Sequence, residues 1–223
     1  NLLMQLFMYR VAKISHAKII AMPLSFGPFG YQSLERMTAR VLSRFDIVAT
    51  RGEISYQLLM KYGLKNVIRS VDLALLLEKT NPQTNTKPKT LTLGFTLRNW
   101  LPKAQQITFE NTIIKAVVQF ARETNCAVAP IVQVNAPEYG DIDASITELV
   151  AAKLRQQGVR VLEMRTIKNV DHAKELYAGI DLLLGMRMHS NILAATENTP
   201  FVAIAYEYKT EEIARSIGLE KYC

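Results

Sequence analysis

Residues 180–195 read Ile180-Asp-Leu-Leu-Leu-Gly-Met-Arg-Met-His-Ser-Asn-Ile-Leu-Ala-Ala195, and the fold turns on this stretch. A short run at 180–184, apolar but for Asp181, stops at Gly185, and a helical pattern opens at Ser190 and runs to Glu197. Apolar runs of this length, without polar alternation, belong to strands covered on both faces. The stretch is therefore a strand, a turn and a helix, with Arg187 and His189 between them. The next segment repeats the grammar: a strand at 201–205, Lys209, then a helix at 210–217 closed by Gly218. Thr210 is the expected N-cap there, with Glu211 and Glu212 suited to the first helical turn.

Working outward, the alternation continues in both directions. Upstream lie strands at 91–97, 127–134 and 159–164 and helices at 107–123, 142–157 and 170–177. Pro130 is a discord, because proline removes a ladder donor, and a bulge or an edge position would reconcile it. Before them, the tract 79–90 holds two prolines, several Thr and Asn residues and no apolar residue. It reads as a linker. Ahead of it the pattern gives a first helix, a strand at 18–22, a helix at 31–44, a strand at 47–50 and a helix at 53–62 ended by Gly63. The expectation is α/β with two Rossmann-like parallel-sheet domains: 1–80, a linker at 81–90, and 91–223. Asn1 is not an initiator methionine, so the first domain is expected to be partial.

Composition narrows the functional classes. Of 223 residues, 49% are hydrophobic and 21% charged, which suits a globular chain. No apolar run approaches the roughly 20 residues that cross a bilayer. The 27 Lys and Arg against 20 Asp and Glu give +7, which favours an anionic partner. No basic block or basic-aromatic interleaving marks a nucleic-acid surface. Cys126 and Cys223 have no metal-like spacing and read as small buried apolar side chains in a reducing compartment, the cytoplasm. No metal site and no cofactor are expected.

In parallel sheets, ligands sit outside the carboxyl ends of the strands. Arg187 and His189 fall at such an end, beside a helix N-terminus that favours anions. A guanidinium suits a carboxylate or phosphate because its planar fork meets two oxygens at once. A surface arginine and a capping histidine would have the same spacing. Lys209 sits at another strand-to-helix junction, where a bound anion would offset the helix dipole, and a solvated loop lysine is the alternative. Arg98 ends the strand at 91–97 as a donor contact, an acceptor contact or a surface residue. Trp100 is a further candidate for the lining of the site. Tyr206 and Tyr208 suit a sugar ring or, as the simpler reading, packing on the last helix; His16 and His172 read as surface residues.

The string Gly185-x-Arg187-x-His189-Ser190-Asn191, then Thr199-Pro200, then Tyr206-Glu-Tyr-Lys209 resembles the polysaccharide pyruvyl transferase family. In the first half, 25–29 (Ser-Phe-Gly-Pro-Phe), Arg51-Gly-Glu-Ile-Ser55 with Leu58 and Gly63, and Asp72-Leu73 are similar to that family's motifs. The likeness runs from about residue 19 to the end. Gly52 is a departure, since the family commonly has Asp after the first-half arginine, and the family's glycine-rich N-terminal strand and loop is absent.

The resemblance implies a GT-B-like pair of Rossmann-like domains and a transferase that moves a pyruvyl group from phosphoenolpyruvate to sugar hydroxyls, forming a ketal. The acceptor would be a polysaccharide or its lipid-linked precursor, met in the cytoplasm or at the inner membrane face with at most peripheral membrane contact. Arg51, Arg98, Arg187 and Lys209 are then the donor-binding cations, and His189, Arg187 and Lys209 the catalytic set, with His189 as general acid. A nucleotide-sugar glycosyltransferase or epimerase of the same fold, and a non-catalytic binder of anionic glycans, are the alternatives.

Overall fold

A computed structural model describes residues 2–27, 29–80, 90–137 and 141–223. The expected linker at 81–90 lies, apart from Thr90, outside the described residues. The chain divides into two compact units, Asn1–Leu73 and Ala74–Cys223.

The first unit contains α1 (Leu2–Ile14), β1 (Ile20–Leu24), α2 (Gln32–Leu42), β2 (Ile47–Thr50), α3 (Glu53–Lys61) and β3 (Val67–Arg69). The strands form a parallel sheet in the order β1-β2-β3. Ala39 and Leu42 of α2 and Leu59 of α3 bury against Val48 and Leu64. Strand β1 carries Pro23, which an edge strand tolerates because nothing requires its missing N–H.

The second unit contains β4 (Thr92–Thr96), α4 (Lys103–Thr124), β5 (Ala127–Val132), β6 (Asn135–Ala136), β7 (Asp141–Ile142), α5 (Ala144–Gln156), β8 (Arg165–Thr166), α6 (Val170–Ala178), β9 (Leu182–Gly185), α7 (Met188–Thr196), β10 (Phe201–Ala203) and α8 (Tyr208–Ser216). Five strands run parallel in the order β10-β9-β4-β5-β8, and β6 and β7 make a small antiparallel ribbon. One face of the sheet, with Leu93, Phe95 and Val128, packs on Ile114, Val117 and Val118 of α4 and Val150 and Leu154 of α5. The other, with Ile131, Leu183 and Phe201, packs on Tyr177 of α6 and Leu193 of α7. Helices on both faces explain why the strands read as continuous apolar runs. The fold class is the α/β parallel-sheet architecture that the pattern implied.

Residues 74–80 belong to this second unit, ahead of the proline-containing tract. Ala74 and Leu75 pack on Met188, Ile192 and Ile213. Glu197, buried at the end of α7, accepts from the Thr80 backbone at 3.0 Å and its hydroxyl at 3.1 Å.

Several local expectations are corrected. Residues 159–164 form no strand: Val161 makes a single bridge to Val128, and the paired residues come later, in β8. The Pro130 discord resolves with it. Val128 bonds outward to Arg160 and Leu162, and Val132 bonds outward to Ile167. Pro130 has the same outward parity and faces the interruption at 163–164, where no donor is needed. Helix α8 begins at Tyr208 with Glu207 as N-cap, so Thr210 is a buried first-turn residue and not the cap. Cys126 is buried as expected, but Cys223 is exposed.

Candidate active site

Pairing in the second unit fixes where its strands end. Thr96 of β4 and Ala203 of β10 are both in register with Gly185 of β9. The residues that follow these three positions therefore leave the sheet at one carboxyl edge. Arg98, Arg187, His189 and Lys209 all follow them, so the structure brings four of the five expected residues to that edge. Arg51 is in the other unit.

The Gly185-to-Asn191 string now has a residue-by-residue explanation. At Gly185 a Cβ would lie 1.8 Å from the Asn191 Oδ1, so only glycine fits. Asn191 donates through Nδ2 to the Gly185 carbonyl at 3.1 Å. Ser190 Oγ donates to the Arg187 carbonyl at 2.5 Å and lies 2.9 Å from Thr96 Oγ1. Thr96 Oγ1 in turn accepts from the Met186 N–H at 3.2 Å. These bonds run from one hydroxyl to the next and lock the turn between β9 and α7. From Gly185 to Ala194 every residue is buried except His189. The motif is thus a clamp that presents one imidazole to solvent, in the first turn of α7.

Arg187 is the N-cap residue of α7 and only 8% exposed. Its Nε donates to Asp143 Oδ2 at 3.0 Å and its Nη2 to Oδ1 at 2.6 Å. Asp143, 1% exposed, also accepts from the Val134 N–H at 3.0 Å. Sequence reasoning missed Asp143. Its position at the start of the predicted helix 142–157 was the available signal, and it reads there as an ordinary helix-start acid. Behind this pair, Tyr177 is fully buried and donates from its hydroxyl to Gln133 Oε1. Burial pushes the Tyr177 phenol far above its usual range.

On the other side of the edge, Arg98 donates from Nη1 to the Tyr206 hydroxyl at 2.9 Å, with its guanidinium 5.1 Å from the Tyr206 ring. The rings of Tyr206 and Trp100 are 5.0 Å apart and tilted at 56°. Tyr206 therefore packs on Trp100 and Arg98. Lys209 is in the first turn of α8, partly exposed, with its ammonium 3.8 Å from Glu207 and 5.9 Å from the Tyr208 ring.

The first unit repeats the scheme on its own sheet. Arg51 follows β2 and donates to Asp72 at 2.7 Å and to Ser25 Oγ at 2.9 Å. Ser55 Oγ closes the neighbouring loop by accepting from the Phe26 N–H at 2.7 Å. With Gly52 next in sequence, Arg51 takes its carboxylate partner from Asp72 instead. Among the described residues, no cluster of three or more His, Cys, Asp or Glu side chains is placed to hold a metal ion. Nor is any helix long and apolar enough to cross a membrane.

Two Rossmann-like parallel α/β units, each with basic residues at its strand ends, give the chain a GT-B-like fold class. Consistent with that class, the chain belongs to the polysaccharide pyruvyl transferase family, whose model matches residues 3–208. Over 211 residues it is 23% identical to the amylovoran biosynthesis protein AmsJ of Erwinia amylovora, covering 87% of this chain and 51% of that protein. The chain thus spans about half the length of the curated relative it matches. Among solved structures, it is similar to a chain of accessory secretory protein 1, 2 and 3 from Streptococcus pneumoniae. That likeness has a TM-score of 0.52 at 16% identity and covers 79% of this chain and 34% of the other, and it shows the fold alone. A likeness to Anabaena Alr3699/HepE in complex with UDP-glucose, at TM-score 0.49 and 16% identity over 86% of this chain and 54% of that one, is too distant to bear on function.

Proposed function

We propose that this chain carries the transfer of a pyruvyl group from phosphoenolpyruvate to hydroxyls of a polysaccharide or its lipid-linked precursor, forming a ketal. The observation that supports it most is the single exposed residue of a buried family motif: His189, held at a carboxyl strand edge that also bears Arg98, Arg187 and Lys209.

The donor carries a carboxylate and a phosphate, and both need positive charge. The Lys209 ammonium has a long 3.8 Å contact with Glu207 and lies 5.9 Å from the Tyr208 ring, so it turns to a ligand anion at little cost. Arg98 and Arg187 supply further positive charge. With Nε and Nη2 given to Asp143, Arg187 acts also as the strut that fixes the turn carrying His189. His189 donates its proton to the methylene carbon of the donor, and the central carbon becomes an oxocarbenium-like electrophile. One sugar hydroxyl adds there and loses its proton. The phosphate leaves with the electron pair of its C–O bond. A second hydroxyl then adds, loses its proton and closes the ketal. Arg51 is the proposed donor-binding cation of the first unit.

Phosphate release from phosphoenolpyruvate, measured on the full-length protein with a panel of saccharide acceptors, tests this reading. Acceptor-dependent release is expected. His189→Ala should lower it about 100-fold or more, the scale of a lost general acid, with no loss of folding because the side chain is exposed. Full turnover by His189→Ala would remove the histidine from the mechanism. Consumption of a nucleotide sugar without any use of phosphoenolpyruvate would replace the reading with a glycosyl transfer.

A further inference from the structure

Trp100 is the only tryptophan in the chain, and it stands 50% exposed on the loop that follows β4. That loop leaves the sheet at the same edge as His189, and the Arg98 N–H donates to the Met186 sulfur at 3.4 Å, one residue before Arg187. An indole left in water forfeits favourable burial, yet here its position is fixed from two sides. The N–H groups of Trp100 and Leu101 both donate to Gln106 Oε1, at 3.2 and 3.1 Å. Gln106 is itself buried and donates to Glu110 at 3.4 Å. The ring rests on Tyr206, and Arg98 holds Tyr206 through its hydroxyl. The product is a rigid ledge with an aromatic surface beside a phenol oxygen and a guanidinium.

We propose that this ledge is the subsite for the acceptor, binding one pyranose ring with its C–H face on the Trp100 indole. The sugar hydroxyls then reach the Tyr206 hydroxyl and the Arg98 guanidinium. A pyranose is amphipathic in the same sense as the ledge: apolar on its axial C–H face and polar around its rim. Side chains with an apolar body and a polar tip suit such ligands, and a preorganised loop lowers the entropy cost of holding them. A nucleobase would also stack on an indole, but the chain has no run of basic residues to follow a nucleic-acid backbone. The proposal rests on the pyruvyl transfer reading only for the statement that the sugar is an acceptor. Under it, Arg98 turns from the donor to the acceptor, leaving Lys209, Arg187 and Arg51 to the donor.

Because Trp100 is the sole tryptophan of these 223 residues, their intrinsic fluorescence reports on this ledge directly, and the difference between the parent and Trp100→Phe reports on it in any longer form. Titration with methyl glycosides of glucose, galactose, mannose and N-acetylglucosamine is expected to give a saturable change for at least one. Tyr206→Ala should weaken that Kd about tenfold, the scale of one lost ring contact. In the transfer assay, Trp100→Ala should raise the acceptor KM about tenfold and leave the phosphoenolpyruvate KM unchanged, with Trp100→Phe in between. Silence across the sugar panel, or equal rises in both KM values, overturns the subsite. A fluorescence response to mononucleotides in preference to sugars overturns it as well. If sugars bind but phosphoenolpyruvate is never consumed, the subsite stands and the transfer reading falls. If transfer proceeds and Trp100→Ala leaves the acceptor KM unchanged, the reverse holds.

Discussion

Arg187 and Asp143 meet through two hydrogen bonds, at 3.0 and 2.6 Å, although 44 residues separate them in the chain. With 8% and 1% exposure, neither reaches water enough to be solvated alone. Removing one partner therefore takes both of these bonds from a buried charge, which costs about 3–5 kcal/mol. Asp143→Ala and Arg187→Met are each expected to lower the urea midpoint strongly. The double variant should recover much of that loss, because neither buried charge remains. Single losses that simply add in the double variant would show that the two groups are not coupled. Both singles should also lose phosphate release, since the strut behind His189 is gone.

The parallel sheets were legible because both-face burial writes itself as unbroken apolar runs, as at 127–132. Where pairing is short, that signal fails. Strand β3 has only three residues, one of them Arg69, and 159–164 carries strand-like apolar residues but bridges only at Val161. Arg187 and His189 were legible from strand-end position. What divides them was not: His189 is exposed and Arg187 buried because Asp143 comes from a distant element, and sequence spacing does not encode that contact. Ser190 and Asn191 likewise look like site residues in the string, whereas their bonds to Arg187 and Gly185 make them fasteners of the turn.

Gly185→Ala tests that fastening. The added carbon would fall 1.8 Å from Asn191 Oδ1, against a side chain held by its own bond to the Gly185 carbonyl. The cost expected is that of overpacking, about 1–3 kcal/mol. Adding Asn191→Ala makes room, and the double variant should regain stability over the single. It should still fall about 1 kcal/mol short of the parent for the lost hydrogen bond. A neutral Gly185→Ala in urea unfolding would show that the turn yields freely.

In the first unit, Arg51 and Asp72 are 15% and 8% exposed at their side chains and bonded at 2.7 Å. Arg51→Met leaves Asp72 without that partner, so β1–β3 should lose hydrogen-exchange protection by about 3 kcal/mol. The second unit should keep its protection. This separates two roles for the arginine. If exchange is unchanged while the KM for phosphoenolpyruvate rises, Arg51 serves the donor alone. If both change, it supports its loop and binds the donor.

Tyr177 gives a pH dependence whose sign is fixed by burial. Its phenol is buried, which raises its pKa well above the ordinary value near 10. A group with a raised folded pKa contributes its full stability below the unfolded pKa and loses it as pH rises. Above about pH 10 the unfolded chain ionises this phenol and the folded chain does not, so stability falls by up to about 1.4 kcal/mol per pH unit from this group. Tyr177→Phe removes that dependence and also removes the bond to Gln133. At pH 7 the variant should therefore be about 1 kcal/mol less stable than the parent. Lysine deprotonation affects both proteins alike, so the difference between their urea midpoints isolates the phenol. That gap should narrow between pH 9 and pH 11 and then reverse, on the order of one pH unit past the unfolded phenol's pKa. A constant gap across this range would mean that Tyr177 ionises in the folded protein, and that water reaches the pocket behind Arg187 and Asp143.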